Sequence, residues 1–292
     1  MITLYDIDVE SPRTLEEALQ RINQTRRRVI AGGTDVVIQM KEGVLAERKL
    51  LNIYQLDELR YIRQDGESLR IGALTSLTDI AESREVRRFA PPLAQAAGTI
   101  GSIQVTNKGT IGGNLGNASP SGDCIPPLYA LEGRVVVASL TGRREVPVRD
   151  FFRGYKQLNL RQNELITEIN FKKMGDEEDG LFLKHTLRLG EACSVVSVCM
   201  WLRRGGRRAE FVDARIALGA VAPTVVRADR SEEILKHGIL DERRIEDASQ
   251  AVTGSISPIT DVRGSAEYRR EMAVNLTYRG LHEILARSID RK

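Results

Sequence analysis

The sequence predicts a two-domain protein of mixed helix and strand, an α+β fold. Three observations lead there. Helical and strand-like segments are mixed through residues 1–175. An acidic, glycine-flanked stretch, Met174 to Gly180, reads as a solvated domain boundary. Beyond it, residues 180–290 read as three strands and then three helices, a small antiparallel sheet with helices grouped beside it.

The first element is an amphipathic helix. Leu15, Ala18, Leu19 and Ile22 recur at helical spacing, and Thr14 with Glu17 forms a capping-box pattern at its start. A short strand, 29–31, runs into Gly32 and Gly33, and the apolar segment 36–40 follows. Further strands are expected over 49–53 and 69–74, and Ser76 with Asp79 marks a second helix start. Residues 98–127, rich in Gly, Ser, Thr and Asn, lack periodicity and read as one long functional loop. A strand pair, 135–138 and 145–148, turns at Thr141 and Gly142, and 164–171 is one more strand. In the second domain the strands are 182–188, 195–202 and 211–220. The helices are 231–236, 241–252 and 265–289, the last with Ala273, Leu276, Gly280 and Ile284 on one face.

The composition excludes several classes. The chain has 292 residues, of which 41% are hydrophobic and 28% charged, with a net charge of +3. That is the profile of a globular protein. Basic and acidic residues are interleaved, apart from runs such as Arg26 to Arg28, which argues against a nucleic-acid binder. No apolar run reaches the length of a membrane span, and Met1 to Glu10 shows no signal pattern, so a cytoplasmic protein is expected. Cys124, Cys193 and Cys199 have no CxxC spacing and are expected as reduced thiols in or near the core. No His, Cys and carboxylate set has metal-ligand spacing. His237 and His282 fall in helical patterns and read as surface or interface residues, and Trp201 as core.

Two constellations carry chemistry. The first is Ala31-Gly32-Gly33-Thr34-Asp35. Glycines between a strand and an apolar segment let the backbone turn tightly and aim N–H groups at an anion, and Thr34 adds a hydroxyl. A pyrophosphate suits such a turn, although a plain Gly-Gly turn would read the same. The second is Thr110-Ile111-Gly112-Gly113-Asn114, extended by Asn117, Ser119, Pro120 and Asp123. A carboxylate accepts hydrogen bonds only, so Asp123 suits sugar hydroxyls. The G-x-G-x-x-G fingerprint is absent, which disfavours a Rossmann domain.

These residues resemble a known family. AGGTD at 31–35 and TIGGN at 110–114, with Ser119, Pro120 and Asp123 after them, look like the FAD-binding (medium) subunit of the xanthine dehydrogenase and aerobic carbon monoxide dehydrogenase family of molybdenum hydroxylases. Val221-Ala222-Pro223-Thr224 with Val226-Arg227-Ala228 resembles the family's second-domain turn. Pro258, Asp261, Arg263, Ser265, Ala266, Tyr268, Arg269 and Arg270 resemble the segment opening its last helix.

The resemblance implies a PCMH-type FAD-binding domain of two subdomains (1–175), then a small C-terminal domain with an antiparallel sheet and a helix bundle (180–290). It implies non-covalent FAD in a cleft. Val29, Ile30, Ala31, Gly32, Gly33, Thr34, Asp35 and Val36 would hold the pyrophosphate and its surroundings. Thr110, Ile111, Gly112, Gly113 and Asn114 would form the second loop on the cofactor, with Ser119 following and Asp123 on the sugar portion. Ile100 and Gly101 match a position close to the flavin and Ile166 an apolar contact. Lys184 matches a lysine that reaches the ring, where a cation favours negative charge. No catalytic acid or base is expected.

The function implied is electron relay within a larger enzyme. A [2Fe-2S] small subunit would deliver electrons, a large subunit with the molybdenum cofactor would oxidise the substrate, and NAD, a quinone, oxygen or a ferredoxin would accept them. The assembly implied is a dimer of heterotrimers, with Ile100 to Thr106 a candidate partner-facing segment. Two departures stand out. The cysteine-bearing insertion that some members use for an extra four-iron cluster is missing. The acidic residue that commonly follows an arginine in the first strand of domain two is displaced, to Glu191 in Arg188-Leu189-Gly190-Glu191. The alternatives are a stand-alone FAD-dependent reductase on the same fold and a non-catalytic scaffold with decayed cofactor loops.

Overall fold

The computed structural model describes residues 7–188, 190–236 and 238–290. His237, read above as a surface residue, lies outside the described residues. Two sheets build the first domain. A parallel three-stranded sheet has the order Asp8–Glu10, Lys49–Asn52, Arg28–Ile30. An antiparallel five-stranded sheet has the order Ile62–Asp65, Ser68–Gly72, Leu165–Lys172, Arg134–Ser139, Gly142–Pro147.

The first helix, Leu15–Gln24, buries Leu15, Ala18, Leu19 and Ile22 as its spacing requires. These side chains join Leu51, Ile53, Leu56 and Leu74 in a small core that couples the two sheets. Thr14 Oγ1 accepts from Glu17 N at 3.1 Å, so the cap forms. The reciprocal half of the box differs, because the Glu17 carboxylate takes the N–H of Arg13, one residue before the cap.

The stretch 98–127 is not one long loop. It carries three short helices, Ile103–Lys108, Ile111–Asn117 and Ile125–Ala130. Each is six or seven residues long. Helices of that length do not stand alone. The last two are stabilised by burying Ile111, Leu115, Ile125 and Leu128 in the main core, whereas the first buries only Thr106.

The acidic stretch is also more structured than a solvated linker. Glu178, Asp179 and Gly180 already belong to the strand Glu178–His185, and Asp179 is buried beside Arg204. That strand opens an antiparallel sheet with Val196–Arg204, Glu210–Gly219 and Val226–Arg227. Strand residues alternate between its faces. Phe182, Cys199, Trp201 and Ala217 join the core of the first domain. Leu181, Val198, Met200, Leu202, Ile216 and Leu218 join a second core with the helices Asp229–Leu235, Glu242–Ala251 and Ala266–Asp290.

Contact between the domains is close. A Cβ on Gly180 would stand 2.5 Å from Pro92 Cγ. Gln95 Oε1 accepts from the N–H of Phe182 at 2.8 Å. Both partners lie on the helix Pro91–Gly98. Arg269 is buried at the start of the last helix and donates to the carbonyls of Val195 and Ala220 and to Asp261.

Candidate cofactor site

The two glycine motifs meet. The strand Arg28–Ile30 feeds the chain into Gly32, whose Cα abuts the segment before the second motif. A Cβ there would fall 1.8 Å from the carbonyl oxygen of Lys108. Gly33 then turns the chain at φ +74°, a backbone conformation that favours glycine. Helix Val36–Lys41 starts directly afterwards, with Val37 N donating to Gly33 O and Gln39 N to Asp35 O.

The second motif is sewn onto the segment 73–77. Leu77 N donates to Gly109 O, Ile111 N to Thr75 O and Gly112 N to Ala73 O. A Cβ on Gly112 would stand 2.7 Å from Ala73 O, so this glycine permits backbone approach as Gly32 does. Gly113 is different: its Cβ would meet only Thr110 Oγ1, at 3.0 Å. Each motif therefore spends its first glycine on packing and its second on the open side.

That open side is a cavity of about 740 Å³, a size suited to a large organic cofactor. Gly33, Thr34, Asp35, Val36 and Val29 line it from one motif, and Thr110, Gly113 and Asn114 from the other. Ala31, Gly32, Gly112, Ile100 and Ile166 contribute further wall. Its charge is predominantly basic. Arg26, Arg28, Arg48, Lys49, Lys156 and Arg161 line it, against Asp35, Glu47 and Glu164. The remaining arginine of the run, Arg27, also lines it and pairs with Asp8 and Glu10.

The donors differ between the motifs. Among the described residues, no acceptor takes the backbone N–H of Gly32, Gly33, Thr34 or Asp35. They remain available to an anion. The N–H groups of 111–114 are all engaged, those of Gly113 and Asn114 by Thr110 Oγ1 and O. What the second motif offers is its bare glycine surface and the Asn114 side chain, and not backbone N–H donors. Asn114 Oδ1 is buried without a hydrogen-bond partner among the described residues. A polar chain joins the motifs at the rim: Asn117 Nδ2 donates to Asp35 Oδ1 at 2.9 Å, and Gln39 Nε2 to Asn117 Oδ1 at 3.1 Å. Burial raises the Asp35 pKa, and the Lys156 charge opposes that rise.

Six predicted residues do not line this cavity. Ile111 is fully buried in the core. Ile30 backs the turn at Gly33, and Gly101 turns the chain at φ +59° just past Ile100. Ser119 pairs with Ser121. Asp123 lies deeper, 4% exposed, where its carboxylate accepts from Lys184 Nζ at 3.0 Å and Ser194 Oγ at 2.6 Å. Burial raises the Asp123 pKa while both donors pull it down. Lys184, the other half of that pair, also donates to Thr99 O at 2.5 Å, next to the cavity wall at Ile100. His185 points to the other face, as strand alternation requires, and meets Tyr268 at 2.8 Å.

Comparison with known proteins shows the family. The family described as FAD binding domain in molybdopterin dehydrogenase matches residues 5–171. The chain belongs to this FAD-binding family. A second family, the CO dehydrogenase flavoprotein C-terminal domain, matches residues 182–284. The glyceraldehyde dehydrogenase medium chain of Sulfolobus acidocaldarius is 32% identical over 93% of this chain and 95% of its own length. The carbon monoxide dehydrogenase medium chain of Hydrogenophaga pseudoflava is 30% identical over 96% of this chain and 97% of its own. A solved carbon monoxide dehydrogenase from Hydrogenophaga pseudoflava superposes with a TM-score of 0.90, covering 94% of this chain and 95% of that one. As a flavoprotein subunit of a molybdenum hydroxylase, the chain is an oxidoreductase component.

This FAD subunit brings to the cavity many residues outside the predicted set, among them Arg48, Lys49 and Arg161 and, nearest the first motif's Asp35, Lys156 and Gln39. Neither of these last two lies in a glycine motif, and neither segment carries a turn or capping signal. One thiol expectation needs correction. Cys124 and Cys199 are buried, but Cys193 is exposed, because its segment crosses the surface between the strands ending at His185 and starting at Val196. No helix among the described residues is long and apolar enough to cross a membrane.

Proposed function

We propose that FAD lies in the cavity with its pyrophosphate on the Gly32–Asp35 turn. The observation that carries this reading is the row of four uncommitted backbone N–H groups on a basic wall. Such a turn binds an anion without a dedicated side chain. Gly113 and Asn114 line the same space, and the bare Gly113 suits close approach by a ligand. Ile100 and Ile166 supply apolar wall. Thr110 and Val29 complete the lining, while Ile30, Ile111, Gly101 and Ser119 shape the loops behind it. Lys184 and Asp123, which the family resemblance assigns to the ring and the sugar portion, stand behind Ile100 and are paired with each other.

Bound FAD supplies one- and two-electron redox chemistry, and the chain's own part is binding, orientation and tuning. Electrons come from the [2Fe-2S] clusters of a small subunit, beside a large subunit carrying the molybdenum cofactor. They leave to NAD, a quinone, oxygen or a ferredoxin. Exposed Ile103, on the helix Ile103–Lys108 next to Ile100, is a candidate contact with the small subunit. The assembly is a cytoplasmic dimer of heterotrimers.

The test is titration of the flavin-free full chain with FAD, FMN and riboflavin. FAD should bind tightest and should return to the supernatant after acid precipitation. Equal affinity for FMN and FAD would remove the pyrophosphate assignment, and flavin retained in the pellet would remove non-covalent binding.

A further inference from the structure

The hairpin Phe152–Gly154 with Gln157–Leu158 turns through Tyr155 and Lys156. Lys156 sits there at φ +52°, in left-handed backbone. Glycine or asparagine occupies that conformation at little cost, and lysine does not. Packing does not hold it, since Lys156 and Tyr155 are both exposed. A strained side chain that contributes nothing to the core points to a function.

Its surroundings supply one. Lys156, Leu158 and Leu160 carry this hairpin to the cavity wall, a different chain segment from the glycine motifs. The Lys156 charge falls on Asp35, at the end of the first motif's turn. The ammonium thus stands on the side of the cavity where the free N–H groups of Gly32 to Asp35 leave an anion site.

We infer that Lys156 is a positioning residue that engages the phosphate-bearing part of FAD and draws the Phe152–Leu158 hairpin onto the bound cofactor. This rests on the reading of the cavity as the FAD site. The Asp35 carboxylate accepts from Asn117, and among the described residues Lys156 forms no salt bridge, so its ammonium is open to a pyrophosphate. The left-handed turn is then tolerated because it aims the side chain inward.

The test uses the flavin-free full chain carrying Lys156→Met, Lys156→Arg, Lys156→Gly or Gly33→Val. FAD and riboflavin affinities are measured at low and high salt, together with the melting temperature before flavin is added. Lys156→Met should weaken FAD roughly tenfold, about one charge-assisted contact, and flatten its salt dependence, while leaving riboflavin affinity unchanged. Lys156→Arg should restore most of the FAD affinity. Lys156→Gly should weaken FAD equally yet melt no lower than the parent, because glycine relieves the turn. FAD affinity within twofold of the parent in Lys156→Met, with Gly33→Val flavin-poor, would overturn the role of Lys156 and leave the cavity reading intact. Unchanged FAD affinity in both variants would overturn the cavity reading itself. Equal losses for FAD and riboflavin in Lys156→Met would overturn the phosphate contact.

Discussion

Lys184 Nζ lies 3.0 Å from Asp123 Oδ2, joining the first strand of the second domain to the loop that follows the second glycine motif. The two side chains are 12% and 4% exposed, so this ion pair stands in low dielectric. Removing one partner of such a pair costs more than the pair contributes, because the other charge stays buried. Lys184→Met should therefore lose about 3–5 kcal/mol in urea unfolding at pH 7. The double variant with Asp123→Asn should recover part of that. The sign of the pH effect follows from the carboxyl group. Burial already raises its folded pKa against Lys184 and Ser194, and removing Lys184 raises it further, so the folded state binds the proton more tightly. The deficit of Lys184→Met should shrink as pH falls from 7 towards 5. A deficit independent of pH would mean that Asp123 does not carry the uncompensated charge.

The paired glycines make opposite predictions. Gly32→Ala and Gly112→Ala place a Cβ against backbone, at 1.8 Å from Lys108 O and 2.7 Å from Ala73 O. Backbone cannot yield as a side chain does, so both variants should melt far lower or fail to fold. Gly113→Ala meets only a hydroxyl that can shift, and alanine favours helix over glycine by about 1 kcal/mol. It should fold normally yet purify with less flavin. Melting curves and bound-flavin ratios on the four single alanine variants separate the two classes. Gly33→Ala belongs between them, costing about 1–2 kcal/mol for its left-handed backbone.

Asp261 gives an acid-sensitive fastening. Burial pushes its pKa up, but hydrogen bonds from the Arg263 side chain and backbone and from Arg269 outweigh that, leaving it at about 2 against an ordinary 3.8. A depressed carboxyl contributes stability that is present above the unfolded pKa and lost as pH falls through the folded one. Stability should drop between pH 4 and 2 by a component that Asp261→Asn lacks. At pH 7 the same variant should cost about 3 kcal/mol, because buried Arg269 keeps its charge without a carboxylate.

Thr14→Ala should cost about 1 kcal/mol, the usual effect of losing a helix cap. Flavin content should not change. A simultaneous loss of flavin would show that the first helix supports the cavity more directly than its cap implies.

Regular elements were legible where periodicity ran long enough. Leu15 to Ile22 repeats over two turns, and the strand 164–171 keeps one apolar face, so both were read within a residue or two of their ends. The short helices inside 98–127 were not. Six or seven residues give no repeat, and Gly112 and Gly113 argue locally against a helix that tertiary burial of Ile111 and Leu115 then imposes. The glycine motifs announced the site, but not the division of labour within each pair, which depends on Lys108 and Ala73, residues with no signal of their own. Lys156 was invisible for a related reason. A positive φ is expected at glycine or asparagine, and the turn Gly154-Tyr155-Lys156-Gln157 places it on neither.

The sheet between the two cores sets how this polypeptide could be divided. Phe182, Cys199 and Trp201 face one way, and Leu181, Val198 and Met200 the other, each set fully covered. A fragment starting at residue 178 would bare the first set to water and should aggregate when made alone. The partner fragment, 1–175, would lack the strand that packs on Pro92 and bonds Gln95. Produced together, the halves present matching apolar faces and should reassemble as a complementing pair. A protease nick near Gly175, where the chain is open, should leave the flavoprotein intact in size-exclusion chromatography and divisible only in denaturant.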